Sequence, residues 1–205
     1  YTNRYKVHLI NCKHDDWKYN RLIKSMKDNK VKLDFITWPC VLVDKTPNIV
    51  NSSMGKGYIK HVKNPNAKGN IGSALAHITL WEHIANDKST KHHLVFEDNV
   101  LFKPNSEDFM ETVSKFPDYD LFNLCPRRPL GLPTNTNGVL KVTSDDKVKN
   151  NFGKIANVLF SSYMITPSGA RKVLNMFKSL DFDPSGTAID GYTMSGVLST
   201  STQGH

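Results

Sequence analysis

The stretch His93-Leu94-Val95-Phe96-Glu97-Asp98-Asn99-Val100-Leu101-Phe102 constrains the fold more than any other part of the chain. Two apolar runs, 94–96 and 100–102, flank two carboxylates and a carboxamide. An apolar run rich in Val and Phe reads as a strand buried on both faces. Adjacent acids on such a strand need a cation or hydrogen bonds to offset their desolvation. All-oxygen donors suit a hard cation such as Mg²⁺ or Mn²⁺. The carboxyl end of a central strand is also where open α/β sheets bind ligands. The same residues fit a turn between two hairpin strands equally well, with Asp98-Asn99 making the bend.

The first half of the chain has an α/β pattern around this stretch. Residues 5–12 alternate apolar and polar side chains and predict a first strand. Asp16 can cap a helix carrying Trp17, Leu22, Ile23 and Met26 at helical spacing. Residues 35–43 predict a second strand, which Pro39 pushes toward a sheet edge. Residues 47–70 are rich in Gly, Pro, Asn and Ser and predict one long loop. A helix over 71–84 then carries the apolar stripe Leu75, Ile78, Trp81 and Ile84. Gly72, Ser73, Ala74 and Ala76 crowd its first turns. They admit either a packed backbone, the commoner use of small residues, or a ligand phosphate at the helix amino end.

In the second half, Pro104 and Ser106 start a helix through Phe109, Met110 and Val113 that ends near Phe116-Pro117. Strands are predicted at 119–124 and 157–166, and a helix over 168–180 is capped by Thr166 with Pro167 in its first turn. Residues 125–151 predict a loop with one strand at 139–142. Its Arg127-Arg128 pair suits a diphosphate or an acidic acceptor, or simply solvent. Asp190, between Ile189 and Gly191, suits an acid presented into a cleft or, more commonly, a helix cap. No boundary splits the chain, so we expect one domain over 1–205.

Composition excludes several classes. A formal charge of +8 favours anionic partners, but the Lys and Arg residues are scattered and no aromatic-basic motif accompanies them, so no nucleic-acid partner is expected. No run is long enough to span a bilayer. Cys12, Cys40 and Cys125 are too far apart for a zinc ribbon, and an odd count argues against a disulfide framework; buried thiols are expected. Asn51-Ser52-Ser53 matches a glycosylation acceptor, on a pattern too short to fix a secretory route. Because the chain opens at Tyr1 rather than Met, we expect an excised piece of a longer protein, and the sequence leaves its compartment open.

Three stretches taken together resemble glycosyltransferase family 25, which includes lipooligosaccharide and procollagen galactosyltransferases. Gly72-Ser73-Ala74-Leu75-Ala76-His77, with Trp81, is similar to the family's Gly-Cys-Ala-Leu-Ser-His element. Phe96-Glu97-Asp98-Asn99-Val100 resembles its Glu-Asp-Asp-Val. Residues 163–174, Tyr-Met-Ile-Thr-Pro-Ser-Gly-Ala-Arg-Lys-Val-Leu, resemble its Tyr-Leu-Ile-Ser-x-x-Gly-Ala-Arg-Lys-Leu-Leu. The opening Val7-His8-Leu9-Ile10-Asn11 is similar to the family's first strand, and Asp190 fits the Asp that follows the third element. Order and spacing agree from about Lys6 to Tyr192.

The resemblance implies a GT-A-like α/β fold with a mainly parallel sheet flanked by helices, its nucleotide-sugar half at about 1–103 and its acceptor half at about 104–205. It also implies inverting transfer of galactose or glucose from a UDP-sugar to a protein or glycan hydroxyl, with hydroxylysine of a collagen-like chain among the acceptors. Ile10, Asn11, Ser73, His77 and Glu97 would serve the donor. Asp98, Asn99 and, by analogy with a late histidine in such folds, His205 would hold Mn²⁺ or Mg²⁺, and Asp190 would be the base. Asn99 departs from the family's final Asp and supplies a neutral, weaker oxygen ligand. That departure motivates a second reading, a relative that binds a nucleotide sugar or glycan without transferring it.

Overall fold

The computed structural model describes residues 4–12, 16–89, 91–104, 106–115, 120–124, 132–133, 140–141, 161–186 and 189. In chain order the elements are β1 (Tyr5–Asn11), α1 (Asp16–Asp28), β2 (Ile36–Pro39), α2 (Pro47–Gly55), α3 (Lys68–Ala85), β3 (His92–Glu97), α4 (Phe109–Ser114), β4 (Leu121–Asn123), β5 (Leu132–Pro133), β6 (Leu140–Lys141), β7 (Ser162–Ile165) and α5 (Pro167–Ser179). Five strands form one sheet in the order β2-β1-β3-β7-β4, and β5 pairs with β6 in a two-residue ribbon. β1 pairs in parallel with β2 and β3, while β7 is antiparallel to both β3 and β4. Four of the five strands thus run one way and β7 alone runs against them, the α/β arrangement of a mainly parallel sheet flanked by helices that the resemblance implies. β2 lies at an edge, where Pro39 needs no ladder partner for its missing N–H.

Strand alternation divides the core into two layers. Val7, Leu9, Leu94, Phe96 and Met164 pack on the side of Leu22 and Met26 of α1 and Val113 of α4. Ile10, Val95, Tyr163 and Ile165 pack on the side of α3 and α5. Ten residues of α3 are buried, so it is apolar nearly all round rather than striped, as suits a helix enclosed by its neighbours. Two glycines let backbones close on each other. A Cβ at Gly72 would collide with the Val41 carbonyl oxygen, and one at Gly169 with that of Asp120. Thr166 caps α5 as expected, its hydroxyl accepting from the Gly169 N–H at 2.9 Å.

Two expectations need correction. Residues 47–70 are not one loop: Pro47 starts α2, and Ile49 and Val50 pack against the core, which outweighs the turn-like composition. Residues 100–102 form no strand. The Phe102 N–H donates to Ser25 Oγ at 3.3 Å and its carbonyl accepts from Asn29 Nδ2 at 3.0 Å, so side chains of α1 and the residue after it satisfy the backbone that a sheet would otherwise pair.

A buried polar cluster crosses the α3 side of the sheet. His8 Nε2 and His93 Nδ1 lie 2.8 Å apart, and His93 Nε2 stands 3.0 Å from Asp87, which pairs with Lys6. His83 of α3 meets the His8 ring edge-on. Burial, then the neighbouring His93, His83 and Lys6, push His8 from 6.5 down to about 3, against the pull of Asp87. Burial likewise lowers His93 to about 4, with Lys6 and His83 adding to it and Asp87 opposing.

Two predictions follow from this packing. Gly169→Ala should lose at least about 2 kcal/mol in denaturant unfolding although Ala favours helices, because overpacking against backbone cannot relax. Gly55→Ala, where a Cβ meets nothing within 4 Å, should be neutral or slightly stabilising. Both histidines stay neutral in the folded chain at pH values where the unfolded chain protonates them. The unfolded state then binds more protons, so their contribution is fully present above about pH 6.5 and drains away as pH falls toward 4. Urea midpoints should fall steadily from about pH 7 to about pH 5, and His8→Gln should flatten the slope; an unchanged slope would rule the cluster out as its source.

Candidate active site

The carboxyl ends of β1 and β3 are locked together by register. Ile10 pairs with Glu97, and one residue further the Asp98 N–H donates to the Ile10 carbonyl at 3.2 Å. The chain then turns at Asp98-Asn99, and the Val100 N–H closes on the Glu97 carbonyl at 3.2 Å. The acidic triplet is therefore a turn at a strand end, without the return strand of a hairpin. It faces an open cleft of about 530 Å³ whose other walls are residues 40–45, the amino end of α3 and Lys18 of α1.

The lining of this cleft is mixed in charge: it combines Glu97, Asp98, Asn99 and Asp44 with Lys18, Lys45 and Lys68, the last paired with Asp44 at 2.8 Å. Ala67 gives α3 no side-chain cap, so the N–H groups of its first turn keep their appetite for anions. Within α3 the two uses of small residues coincide: Gly72 packs on the Val41 backbone and lines the cleft together with Ser73 and Ala76.

Glu97 shares strand parity with Val95, which turns its side chain toward α3. There His77 Nε2 lies 3.2 Å from Glu97 Oε1, and Asn99 Nδ2 donates to Oε2 at 3.3 Å. Burial pushes the Glu97 carboxyl up, but hydrogen bonds from His77, Asn99 and Ser161 outweigh it and hold it below its ordinary range. Behind His77, its Nδ1 lies 2.9 Å from the Tyr163 hydroxyl, which also accepts from Trp81 Nε1 at 2.9 Å. Burial, helped by the Glu97 charge and opposed by the Trp81 hydrogen bond, raises Tyr163 well above its usual value.

Of the residues expected to serve the site, Ile10, Ser73, Glu97, Asp98 and Asn99 line one cleft. His77 is 1% exposed and stands one layer behind Glu97, away from the cleft surface. Asn11 falls on the opposite strand parity, with Val7 and Leu9; its Oδ1 is shielded from solvent and has no hydrogen-bond partner among the described residues. Asp190, His205 and the Arg127-Arg128 pair lie outside the described residues. Among the described residues no three His, Cys, Asp or Glu side chains converge as a ready-made metal cage. Among the residues lining the cleft, Asp98 and Asn99 carry a carboxylate and a carboxamide oxygen, hard donors of the kind a divalent cation shares with bound phosphates.

The model of glycosyltransferase family 25, described as an LPS biosynthesis protein, matches residues 5–193. The chain belongs to glycosyltransferase family 25. It is 26% identical over 160 residues to a provisionally named glycosyltransferase of Haemophilus influenzae, covering 75% of this chain and 52% of that protein. A provisionally named glycosyltransferase of Acanthamoeba polyphaga mimivirus is 43% identical over 60 residues, 29% of this chain and 18% of its own. The chain thus spans about half of one of these relatives and under a fifth of the other.

One feature of this family 25 cleft departs from the sequence reading. Cys12 and Cys40 are joined in a disulfide with Cα atoms 5.0 Å apart, and both line the cleft. β1 and β2 are parallel with Asn11 opposite Pro39, so the next residue of each strand falls side by side. The Cys40 N–H also donates to the Asn11 carbonyl at 3.1 Å. Cysteine count and spacing do not contain this pairing; it follows only once the strand register is known. Lys18 and Lys45 were likewise missed, because scattered lysines carry no signal until the fold gathers them. Thiol titration of the denatured, unreduced chain should find one free thiol, from Cys125, and three after reduction. Three before reduction would remove the disulfide.

Proposed function

We propose that this chain is the transferase domain of a glycosyltransferase that takes galactose or glucose from a UDP-sugar and delivers it, with inversion, to a hydroxyl of a protein or glycan acceptor. The observation that carries the reading is the cleft at the ends of β1 and β3, whose lining brings oxygen donors, lysines and the amino end of a helix without a side-chain cap together. That combination suits a nucleoside diphosphate, whose charge needs both cationic neighbours and backbone N–H groups. All the cleft residues lie between Ile10 and Asn99, in keeping with a nucleotide half at about 1–103 and an acceptor half at about 104–205.

Asp98 and Asn99 would hold Mn²⁺ or Mg²⁺, with His205 as a further ligand. The cation would supply neutralisation of the diphosphate as the glycosidic bond breaks. The acceptor oxygen attacks the anomeric carbon, the bond to the diphosphate oxygen breaks, and UDP leaves with the electron pair. The hydroxyl proton passes to Asp190 as general base. Lys45 and Lys18, which line the same cleft, would stabilise the charge that gathers on the leaving group. Hydroxylysine of a collagen-like chain is one acceptor consistent with the family.

A second reading has a specific observation behind it. Asn99 stands where the family has an Asp, and its amide is engaged by Glu97, so the chain could bind a nucleotide sugar or glycan without transferring it. Calorimetric titration of UDP with and without Mn²⁺ tests the donor site: binding should need the metal and vanish in Asp98→Ala, and metal-independent or absent binding would sink it. Donor hydrolysis separates the two readings. Turnover by the wild type supports transfer, whereas none in the wild type with a gain in Asn99→Asp supports the binding module.

A further inference from the structure

We infer that His77 is a positioning residue that acts with Tyr163 and Trp81: together they hold the Glu97 carboxylate in place and, through it, turn the carbonyl oxygen of Asn99 toward the donor cleft. The inference rests on reading that cleft as the donor site. The family motif marks His77 as important, but the geometry removes it from the cleft wall and gives it a different task.

The ends of the chain of hydrogen bonds fix its polarity. Indole Nε1–H only donates, and an ionised carboxylate only accepts. The Trp81 N–H therefore gives its proton to the Tyr163 oxygen at 2.9 Å. At the other end the nitrogen facing Glu97 must carry hydrogen, because a bare Nε2 lone pair would oppose the carboxylate oxygen 3.2 Å away. With the ring neutral and its proton on Nε2, Nδ1 is left as an acceptor, and the Tyr163 hydroxyl, 2.9 Å off, donates to it. The run Trp81 to Tyr163 to His77 to Glu97 then uses one proton at each station.

Burial makes this arrangement demanding. Trp81 and Tyr163 are fully buried and His77 nearly so, in the core between α3, β3 and β7. Trp81 and His77 stand four residues apart on α3 and so share the face that meets Tyr163. The second oxygen of Glu97 reads the carboxamide: since Glu97 can only accept, Asn99 must present its Nδ2 there, at 3.3 Å, and its Oδ1 elsewhere. An amide that is otherwise free to flip is thereby set with its oxygen outward. This gives the chain's Asn, where the family has Asp, a defined role as a neutral oxygen ligand beside Asp98.

Two measurements on the intact chain test this. Long-range ¹H–¹⁵N spectra of histidine-labelled wild type should show the His77 proton on Nε2; a proton on Nδ1 alone overturns the relay whatever the cleft binds. In calorimetry with UDP and Mn²⁺, His77→Leu should weaken binding at least about tenfold. His77→Gln, whose amide N–H can replace Nε2–H, should recover most of that loss. The decisive comparison is a double-mutant cycle with Asn99→Ala: in that background His77→Leu should cost little more, since the group it orients is gone. Full additivity, with folding verified by thermal melts, would make His77 a packing residue only. Should His77→Leu not fold, the tautomer and the cycle built on His77→Gln and Tyr163→Phe decide the matter. If wild type fails to bind UDP, the donor reading falls, and the tautomer alone judges the relay.

Discussion

The parallel pairing of β1 with β3 is the constraint on which the rest of the molecule depends. It is the central ladder of the sheet, running from Tyr5 opposite His92 to Ile10 opposite Glu97. At its start it forces His8 and His93 together in the core; at its end it sets the acidic turn beside the end of β1. The Asp98 N–H extends the ladder by one bond past the last paired residue. The Cys12 N–H then reaches Asp98 Oδ2 at 3.4 Å. A slip of one residue would send Glu97 to the α1 face, away from His77, and expose the layer that now packs on α3. Cleft geometry and core packing are in this sense one constraint.

Helix α3 couples the two sides of that arrangement. Its amino end borders the cleft, its middle carries His77 and Trp81 into the core, and its last turn brings His83 against His8 and Trp38. A helix with that many contacts is fixed in position by packing rather than by its caps, and Ala67 offers no side-chain cap. The uncapped end is then available to a ligand without cost to the helix. On the far side, α5 lies against α3, with Trp81 stacked on Phe177, and holds Tyr163's layer shut.

How much of this is legible in the sequence depends on how local the cause is. Strands with clear periodicity or continuous apolar runs, the Thr166 cap and the edge position of β2 follow from a few adjacent residues. So does the polar break at Glu97, Asp98 and Asn99 where β3 ends, because adjacent acids after an apolar run are a local anomaly. The disulfide, the lysines of the cleft and the location of His77 depend on register or on which face a helix turns inward, and no window of sequence holds that. The run Val100–Phe102 misleads for a related reason. Its apolar character is satisfied by an aromatic cluster, with Phe102 packing on Phe96 and Phe109, and its backbone by side chains of α1 and Asn29, so no strand is required. Apolar pattern reports burial; whether the buried backbone pairs with a sheet or with side chains is a tertiary matter.

Asn99 brings these threads together. With Glu97 held as a carboxylate by His77, an Asp at position 99 would set a second negative charge against an oxygen that now lies 3.3 Å from the Asn99 amide. Like charges at such a distance disfavour each other's ionised form, most strongly where burial limits screening. The carboxamide converts that repulsion into a hydrogen bond while keeping an oxygen for the cleft. Under the donor reading, the chain therefore gives up some attraction for a cation and gains an acidic turn whose members are all oriented and whose charges do not compete. The family's motifs carry the same His, Trp and Tyr beside an Asp, so what lies behind Glu97 does not by itself force the carboxamide; what Asn99 changes is the charge of the turn, a hydrogen bond to Glu97 Oε2 standing in place of a second carboxylate.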